Sequence, residues 1–305
     1  MSQQIVEKIN TLKKQHNAVI LAHYYQPPDI QDIADFTGDS LALSVQAAST
    51  DAEVIVFCGV LFMAETAAIL SPDKTVLLPD PQAGCPMADM ITADQLRQLK
   101  TEHPGALTVC YVNSTAEVKA ESDYCCTSSN AVDLVASLPV DHEILFVPDQ
   151  NLGSHVRRRT GRDIVLWPGY CRSHVLIRPE DIEQAKAGHP EAVVLAHPEC
   201  TDAVKDLADA LLSTGQMLSF VKQHPADAFI IATELGIMHP LQQVNPNATY
   251  IPASERAFCE NMKKISLEKL LWSLEDLKTR IEVPVETARR AKLALDRMIE
   301  VVPKK

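Results

Sequence analysis

The chain of 305 residues is poor in glycine (10 residues) and in aromatic side chains (5%), and it carries no low-complexity run. Those shortages argue against a disordered or fibrous protein and leave an ordinary globular composition, 46% hydrophobic. Long apolar runs are missing too. The longest, "VIVFCGVLFMA" from Val54, has 11 residues, well short of the roughly 18 that a membrane span needs. The opening "MSQQIVEKINTLKKQHN" is polar and charged where a secretory leader is apolar. The expectation is a cytoplasmic chain without membrane attachment. Positive charge is also scarce. A net charge of −12 excludes a nucleic-acid groove as the working surface, while leaving room for a small anionic substrate. The one basic cluster, "RRRT" from Arg157, reads as a solvated helix face. Eight cysteines in a reducing compartment point to buried hydrophobes, metal ligands or catalysts rather than disulfides.

What the chain does have is repetition. "VILAHYYQPPDIQDIADFTGDSLALS" from Val19 is answered by "VLAHPECTDAVKDLADALLSTGQM" from Val194. Nine residues separate His23 from Asp32 and His197 from Asp206, and "DIAD" is answered by "DLAD". A weaker third copy, "LTVCYVNSTAEVKAESDYCCTSSNAVDLV", begins at Leu107. In it Asn113 reads as the counterpart of the two histidines, with a slip of one or two residues before Ser128. Each copy continues into a second strand ("VIVFCG", "ILFVPD", "FIIATE"), a helical segment, and a third strand closed by Pro79, Pro168 or Pro252. A cysteine follows each proline within seven residues: Cys85, Cys171 and Cys259, at intervals of 86 and 88.

Short strands alternating with helices imply parallel sheets covered on both faces. The fold class expected is therefore α/β: three homologous α/β/α three-layer domains arranged with pseudo-threefold symmetry around a central site. The domains fall at 1–85, 86–171 and 172–259, with 260–305 as a helical extension packing back on the first. Ligands of parallel α/β sheets bind beyond the carboxyl ends of the strands, which would bring His23, Asn113, His197 and the three cysteines to one pocket. Three converging thiolates make a metal site with one coordination position open.

The other polar residues allow two readings each. Ser40, Ser128, Ser213 and Thr214 are either helix caps or hydroxyl donors to carboxylate and phosphate. Glu199 is a general base or a local ion-pair partner. Tyr25 and Tyr111 donate protons or line the wall. Cys58 and Cys110 read as core, and Cys125 and Cys126 as buried; Cys200 is divided between packing and support of the pocket.

These motifs resemble one family over essentially the whole chain. "AHYYQPPDIQDIADFTGDSL", "FMAETAAILSPDK", "AGCPMADM", "YVNSTAEVKAESDYCCTSSNA", "PDQNLG", "AHPEC", "STGQM", "TELGIMH" and "FCENMKK" are similar, in order, to quinolinate synthase, an iron–sulfur enzyme of NAD biosynthesis. The resemblance implies a [4Fe–4S] cluster with three ligands, Cys85, Cys171 and Cys259, and one iron open to substrate. It implies condensation of iminoaspartate with dihydroxyacetone phosphate to quinolinate. His23, Ser40, Ser128, His197, Ser213 and Thr214 would bind carboxylate or phosphate. Tyr25, Tyr111, Asn113, Glu199 and His174 would form the catalytic set. A passing complex with an aspartate-oxidising enzyme is a further expectation. Some members carry cysteines three and six residues before the third ligand; Arg256 and Ala253 stand there, so no thiol switch is expected. A hydro-lyase on the same open cluster, a non-catalytic iron–sulfur sensor and an iron-free binding protein remain alternatives.

Overall fold

The computed structural model describes residues 2–301; Met1 and the last residues of the expected extension, 302–305, lie outside that range. Among the described residues twelve strands form three separate four-stranded sheets. The first holds β1 (Ala18–His23), β2 (Phe36–Gly38), β3 (Val54–Cys58) and β4 (Thr75–Leu77). The second holds β5 (Leu107–Tyr111), β6 (Tyr124–Cys126), β7 (Ile144–Val147) and β8 (Ile164–Leu166). The third holds β9 (Val193–Ala196), β10 (Ala210–Leu211), β11 (Ala228–Ala232) and β12 (Thr249–Pro252). Every ladder is parallel, and the orders β2-β1-β3-β4, β6-β5-β7-β8 and β10-β9-β11-β12 are one pattern written three times. Among the described residues no helix is long and apolar enough to cross a membrane.

The central strands are apolar on both faces: all five residues of β3 and all four of β7 are buried, as helices on either side of a parallel sheet require. Each sheet has one more strand than the sequence suggested. The edge strands β2, β6 and β10 span only two or three residues, too short to display any periodicity. A recurring aspartate locates them. Asp35, Asp123 and Asp209 each accept the backbone N–H of the residue fifteen positions earlier (Ile20, Thr108 and Val194), all at 2.8 Å. Each aspartate also donates its own N–H to that residue's carbonyl. The second aspartate of "DIAD" and "DLAD", and the one in "AESDY", thus pins the edge strand onto the first strand of its unit.

These pins fix the alignment of the copies. Ile20, Thr108 and Val194 are equivalent, and the strand register agrees: Ala22, Cys110 and Ala196 pair with Cys58, Val147 and Ala232. Three residues after the pinned position stand His23, Tyr111 and His197; five residues after it stand Tyr25, Asn113 and Glu199; twenty residues after it stand Ser40, Ser128 and Thr214. The counterpart of the two histidines is therefore Tyr111. Asn113 shares its place with Tyr25 and Glu199, and the slip before Ser128 disappears.

The C-terminal helices divide between two units. Leu267–Asp276 packs on Ser2–Gln15, beside the first sheet. Val285–Glu300, expected on that unit as well, lies mainly against Ala116–Ala120 and β6 of the second, and also touches Leu61–Leu70 of the first. Its buried face is Ala291, Ala294, Leu295 and Met298. Asn130 Nδ2 donates to the Met298 carbonyl at 2.9 Å and fixes the contact. Cys58, Cys110, Cys125, Cys126 and Cys200 are fully buried.

Candidate active site

One cavity of about 410 Å³ is lined by residues of all three units. Cys85, Cys171 and Cys259 all reach its wall as free thiols, partly buried. Each stands just before a helical turn whose first backbone N–H groups lie beside its sulfur and favour its ionised form: Met87 and Ala88 at Cys85, His174 at Cys171, Asn261 and Met262 at Cys259. Such amides favour a thiolate. Burial opposes them and wins in the metal-free chain, pushing Cys85 up to about 12 and raising Cys171 and Cys259. A bound metal reverses that balance, because coordination strips the thiol proton. Soft donors, one from each unit, lining one cavity and each at the start of a helical turn, fit a thiolate-ligated cluster. A second grouping overlaps this one: a Cys171 sulfur, a His174 ring nitrogen and a Glu199 oxygen lie within 4.8 Å of one another. His174 and Glu199, however, also hold other side chains.

The carboxyl ends of the first strands supply the next layer. At the end of β1, His23 Nδ1 accepts the Tyr25 N–H at 3.1 Å; after β9, His197 Nδ1 accepts the Glu199 N–H at 3.3 Å. A backbone N–H only donates, so Nδ1 is the bare nitrogen and Nε2 carries the hydrogen. His197 accordingly turns an Nε2–H donor toward Ser128 Oγ, 3.2 Å away. Burial, foremost, drives both rings down to about 3, with the Lys263 charge adding to it at His23 and neighbouring histidines at His197. Both are neutral donors at working pH.

Tyr25, His174, Glu199 and Tyr111 join in one chain. Tyr25 Oη lies 2.6 Å from Thr233 Oγ1, which lies 2.8 Å from His174 Nε2. His174 Nδ1 sits 2.8 Å from Glu199 Oε2, off the line of an ideal hydrogen bond, and Tyr111 donates its phenolic proton to Glu199 Oε1. Burial alone would raise the Glu199 carboxyl. The close approach of His174, foremost, and the hydrogen bond from Tyr111 hold it below the ordinary carboxylate range. The two phenols are raised well above theirs by burial first and by the Glu199 charge second. Asn113 lines the same wall, and its buried Oδ1 has no partner among the described residues.

The hydroxyl residues gather where helices begin. Ser40 opens the helix Ser40–Ser49, capped by Asp39, and Thr214 opens Thr214–Gln223, capped by Ser213. Ser40, Ser128 and Thr214 line the cavity. Ser213, also expected there, is fully buried beneath the wall and spends its side chain on the cap. Ser129 Oγ donates to Asp39 Oδ2 at 2.7 Å and lies 2.9 Å from Ser213 Oγ, tying the three units together. Gly215 permits this approach: a Cβ there would stand 2.8 Å from Asp39 Oδ2.

Sequence reasoning missed Thr233, Glu234, Asp39, Phe62, Arg172 and Phe258, all at the cavity or one bond behind it. A signal existed for the first two. "TE" follows β11 in the phase where "GV" follows β3, just past a strand end facing the site.

Residues 7–300 match the family described as Quinolinate synthetase A protein, NadA. The chain is 56% identical to the quinolinate synthase of Dehalococcoides mccartyi (strain CBDB1), an alignment covering 98% of each. It is 52% identical to that of Methanosarcina barkeri (strain Fusaro), again over 98% of each, and 53% identical to that of Pelobacter propionicus, over 99% of each. A cavity lined by thirteen of the residues singled out in the sequence and a match over nearly every residue lead to one conclusion: this enzyme belongs to the quinolinate synthase (NadA) family.

Proposed function

We propose that this cavity condenses iminoaspartate with dihydroxyacetone phosphate, releasing phosphate and water, to give quinolinate. The reading rests on one observation above the rest: a thiol from each unit reaches a wall shared with Tyr25, His174, Glu199 and Tyr111, the first two joined through Thr233. In this reading the units 1–85, 86–171 and 172–259, with the C-terminal helices Leu267–Asp276 and Val285–Glu300 laid across the first two, stand in pseudo-threefold order around Cys85, Cys171 and Cys259, which hold a [4Fe–4S] cluster. When bound, that cluster supplies a Lewis acid through the iron the three thiols leave open.

The chain's own residues do the rest. His23 and His197 offer neutral Nε2–H donors to substrate carboxylate. Ser40, Ser128 and Thr214 offer hydroxyls to carboxylate or phosphate oxygens, and the amides at the starts of Ser40–Ser49 and Thr214–Gln223 favour the same charge; Ser213 holds the second of these helices in place. Glu199 takes a proton during dehydration, Tyr111 returns one through their shared hydrogen bond, and His174 relays between Glu199 and Tyr25. Asn113 orients a substrate group with its free Oδ1. Val60, Phe62, Pro86, Met87 and Leu176 give the wall its apolar part, which limits water around the reacting atoms. The enzyme works in the cytoplasm, as a transferase, and takes its labile imine from an aspartate-oxidising enzyme.

Iron and acid-labile sulfide in protein prepared without oxygen test the thiols. About four of each per chain, lost in Cys85→Ala, Cys171→Ala and Cys259→Ala and kept in Cys58→Ala, is the expected result. Product analysis with both substrates tests the reaction. A pyridine dicarboxylate supports it, whereas mere hydration of a dicarboxylate would replace it with a hydro-lyase.

A further inference from the structure

We propose that Glu234, with Lys263, is a positioning residue for Cys259, clamping the third thiol's turn against the Tyr25 turn of the first unit. The importance of that thiol rests on the function proposed above; the clamp itself is a matter of contacts. Glu234 is fully buried, and its carboxylate takes four hydrogen bonds. Oε1 accepts the Cys259 N–H at 3.0 Å, Oε2 accepts the Gly236 N–H at 2.7 Å, and Lys263 Nζ donates to both oxygens at 2.8 and 2.9 Å. Lys263 Nζ also donates to the Tyr25 carbonyl, and Gln26 Nε2 donates to the Met262 carbonyl at 2.8 Å. Gly236 lies so close to this turn that a Cβ would stand 2.7 Å from Tyr25 Cα. The sequence "TELG" and the sequence "CENMK" thus meet across "HYYQ".

The repeat shows what is special here. Val60, Asp149 and Glu234 occupy one phase, the position two beyond the last paired residue of β3, β7 and β11, and each starts a helical turn. Val60 has no polar group. Asp149 Oδ1 caps its own helix through Leu152 N–H, and its Oδ2 has no partner among the described residues. Glu234 reaches past its own turn to a cysteine and a lysine. Cys259 also belongs to the segment that runs out of the third sheet into the C-terminal helices, so it needs a tether more than the other two thiols do.

Site-resolved alkylation of the full chain tests this. The iron-free and the iron-loaded protein are treated with iodoacetamide, and the labelling of Cys85, Cys171 and Cys259 is followed by mass spectrometry. The expected result is that Glu234→Gln and Lys263→Met each speed labelling of Cys259 about fivefold or more in the iron-free chain, relative to Cys85 and Cys171 in the same molecules. Charge alone predicts opposite signs: losing Glu234 would favour the Cys259 thiolate, while losing Lys263 would disfavour it. Slower labelling in Lys263→Met, or equal acceleration at all three cysteines, overturns the clamp. If Lys263→Met leaves an unpaired buried carboxylate that unfolds the chain, Glu234→Gln/Lys263→Met removes both charges, and unchanged Cys259 labelling in it overturns the clamp instead. Asp206→Asn, at a surface ion pair with Arg158, is the control. The parent decides the underlying reading separately: iron that protects none of the three cysteines sinks the cluster assignment and leaves the clamp result intact.

Discussion

The second unit differs from the first and third at one slot, and the difference explains how three sheets of one strand order come to line an asymmetric cavity. In the first and third units the slot holds His23 and His197, whose Nδ1 atoms close their own turns by accepting an N–H two residues on. In the second unit it holds Tyr111, which has no ring acceptor. The turn is closed instead by Ser114, which donates its N–H to the Val112 carbonyl and its hydroxyl to the Tyr111 carbonyl. Freed from the turn, the phenol reaches across to Glu199 of the third unit. The next slot differs three ways, as Tyr25, Asn113 and Glu199. Common backbone geometry brings these residues together, and their divergence supplies neutral donors, a carboxylate and phenols without any new fold.

Removing the phenol's reach has the largest expected effect. Tyr111→Phe keeps the ring and its packing but leaves Glu199 without that donor. Quinolinate formation should fall by about 10²- to 10³-fold, within the usual range for a lost proton-transfer group, while iron content stays at the parent value. A fall under about tenfold would mean that the second unit's slot is merely structural. The histidine slots should behave differently. His23→Asn and His197→Asn each remove a donor aimed at an anion, worth about 1.5–3 kcal/mol for a hydrogen bond to a charged group. That corresponds to about 10- to 100-fold in KM, with kcat changed less. Steady-state kinetics with each substrate varied in turn would show which slot serves which substrate.

Much of this was legible in the residues. Three units of parallel α/β architecture could be read from strand ends and cysteine phase, and thirteen of the fourteen chosen residues line one cavity, His174 having been chosen on the family resemblance alone. The errors have physical causes. The second copy was aligned by residue type, polar Asn113 against polar histidine, when backbone pairing aligns Tyr111 there. Edge strands of two or three residues carry too little pattern to be read. Ser213 looked like Thr214, but an N-cap must turn its side chain back onto its own helix. Thr233 and Glu234 were hidden because their roles depend on residues far away in sequence, Tyr25 and Lys263. The final helix could not be assigned to a unit, since its apolar stripe says that it packs and not on what.

The histidine slots also make the fold sensitive to acid. In the folded chain burial takes His23 and His197 to about 3, from the ordinary 6.5 of an exposed ring. Between those values the unfolded chain binds protons that the folded chain refuses. The stability they contribute is therefore full above about pH 6.5 and is lost as pH falls through that window, by up to about 1.4 kcal/mol per pH unit for each ring. Urea midpoints of the iron-free chain at pH 7 and 5.5 should show the loss, and His197→Asn should show a shallower one. Equal slopes in the two proteins would mean that His197 is not buried neutral.

The smallest effect belongs to the feature the units share. Asp35→Ala, Asp123→Ala and Asp209→Ala each delete the acceptor that pins an edge strand, at an expected cost of about 1–2 kcal/mol for a partly exposed, charge-assisted bond. If the units are equivalent in backbone terms, the three costs should agree closely. The cations near them are not equivalent: Lys13 lies 2.6 Å from Asp35, Lys186 lies 4.0 Å from Asp209, and no ion pair to Asp123 is found among the described residues. Exposed pairs of this kind add under about 1 kcal/mol, so Asp35→Ala should exceed Asp123→Ala by no more than that. The excess should vanish in a Lys13→Met background, and in high salt, where surface pairs are screened. Unequal costs that survive both treatments would place the difference in the backbone, and the three slots at the cavity would then have diverged on unlike scaffolds rather than on one scaffold repeated.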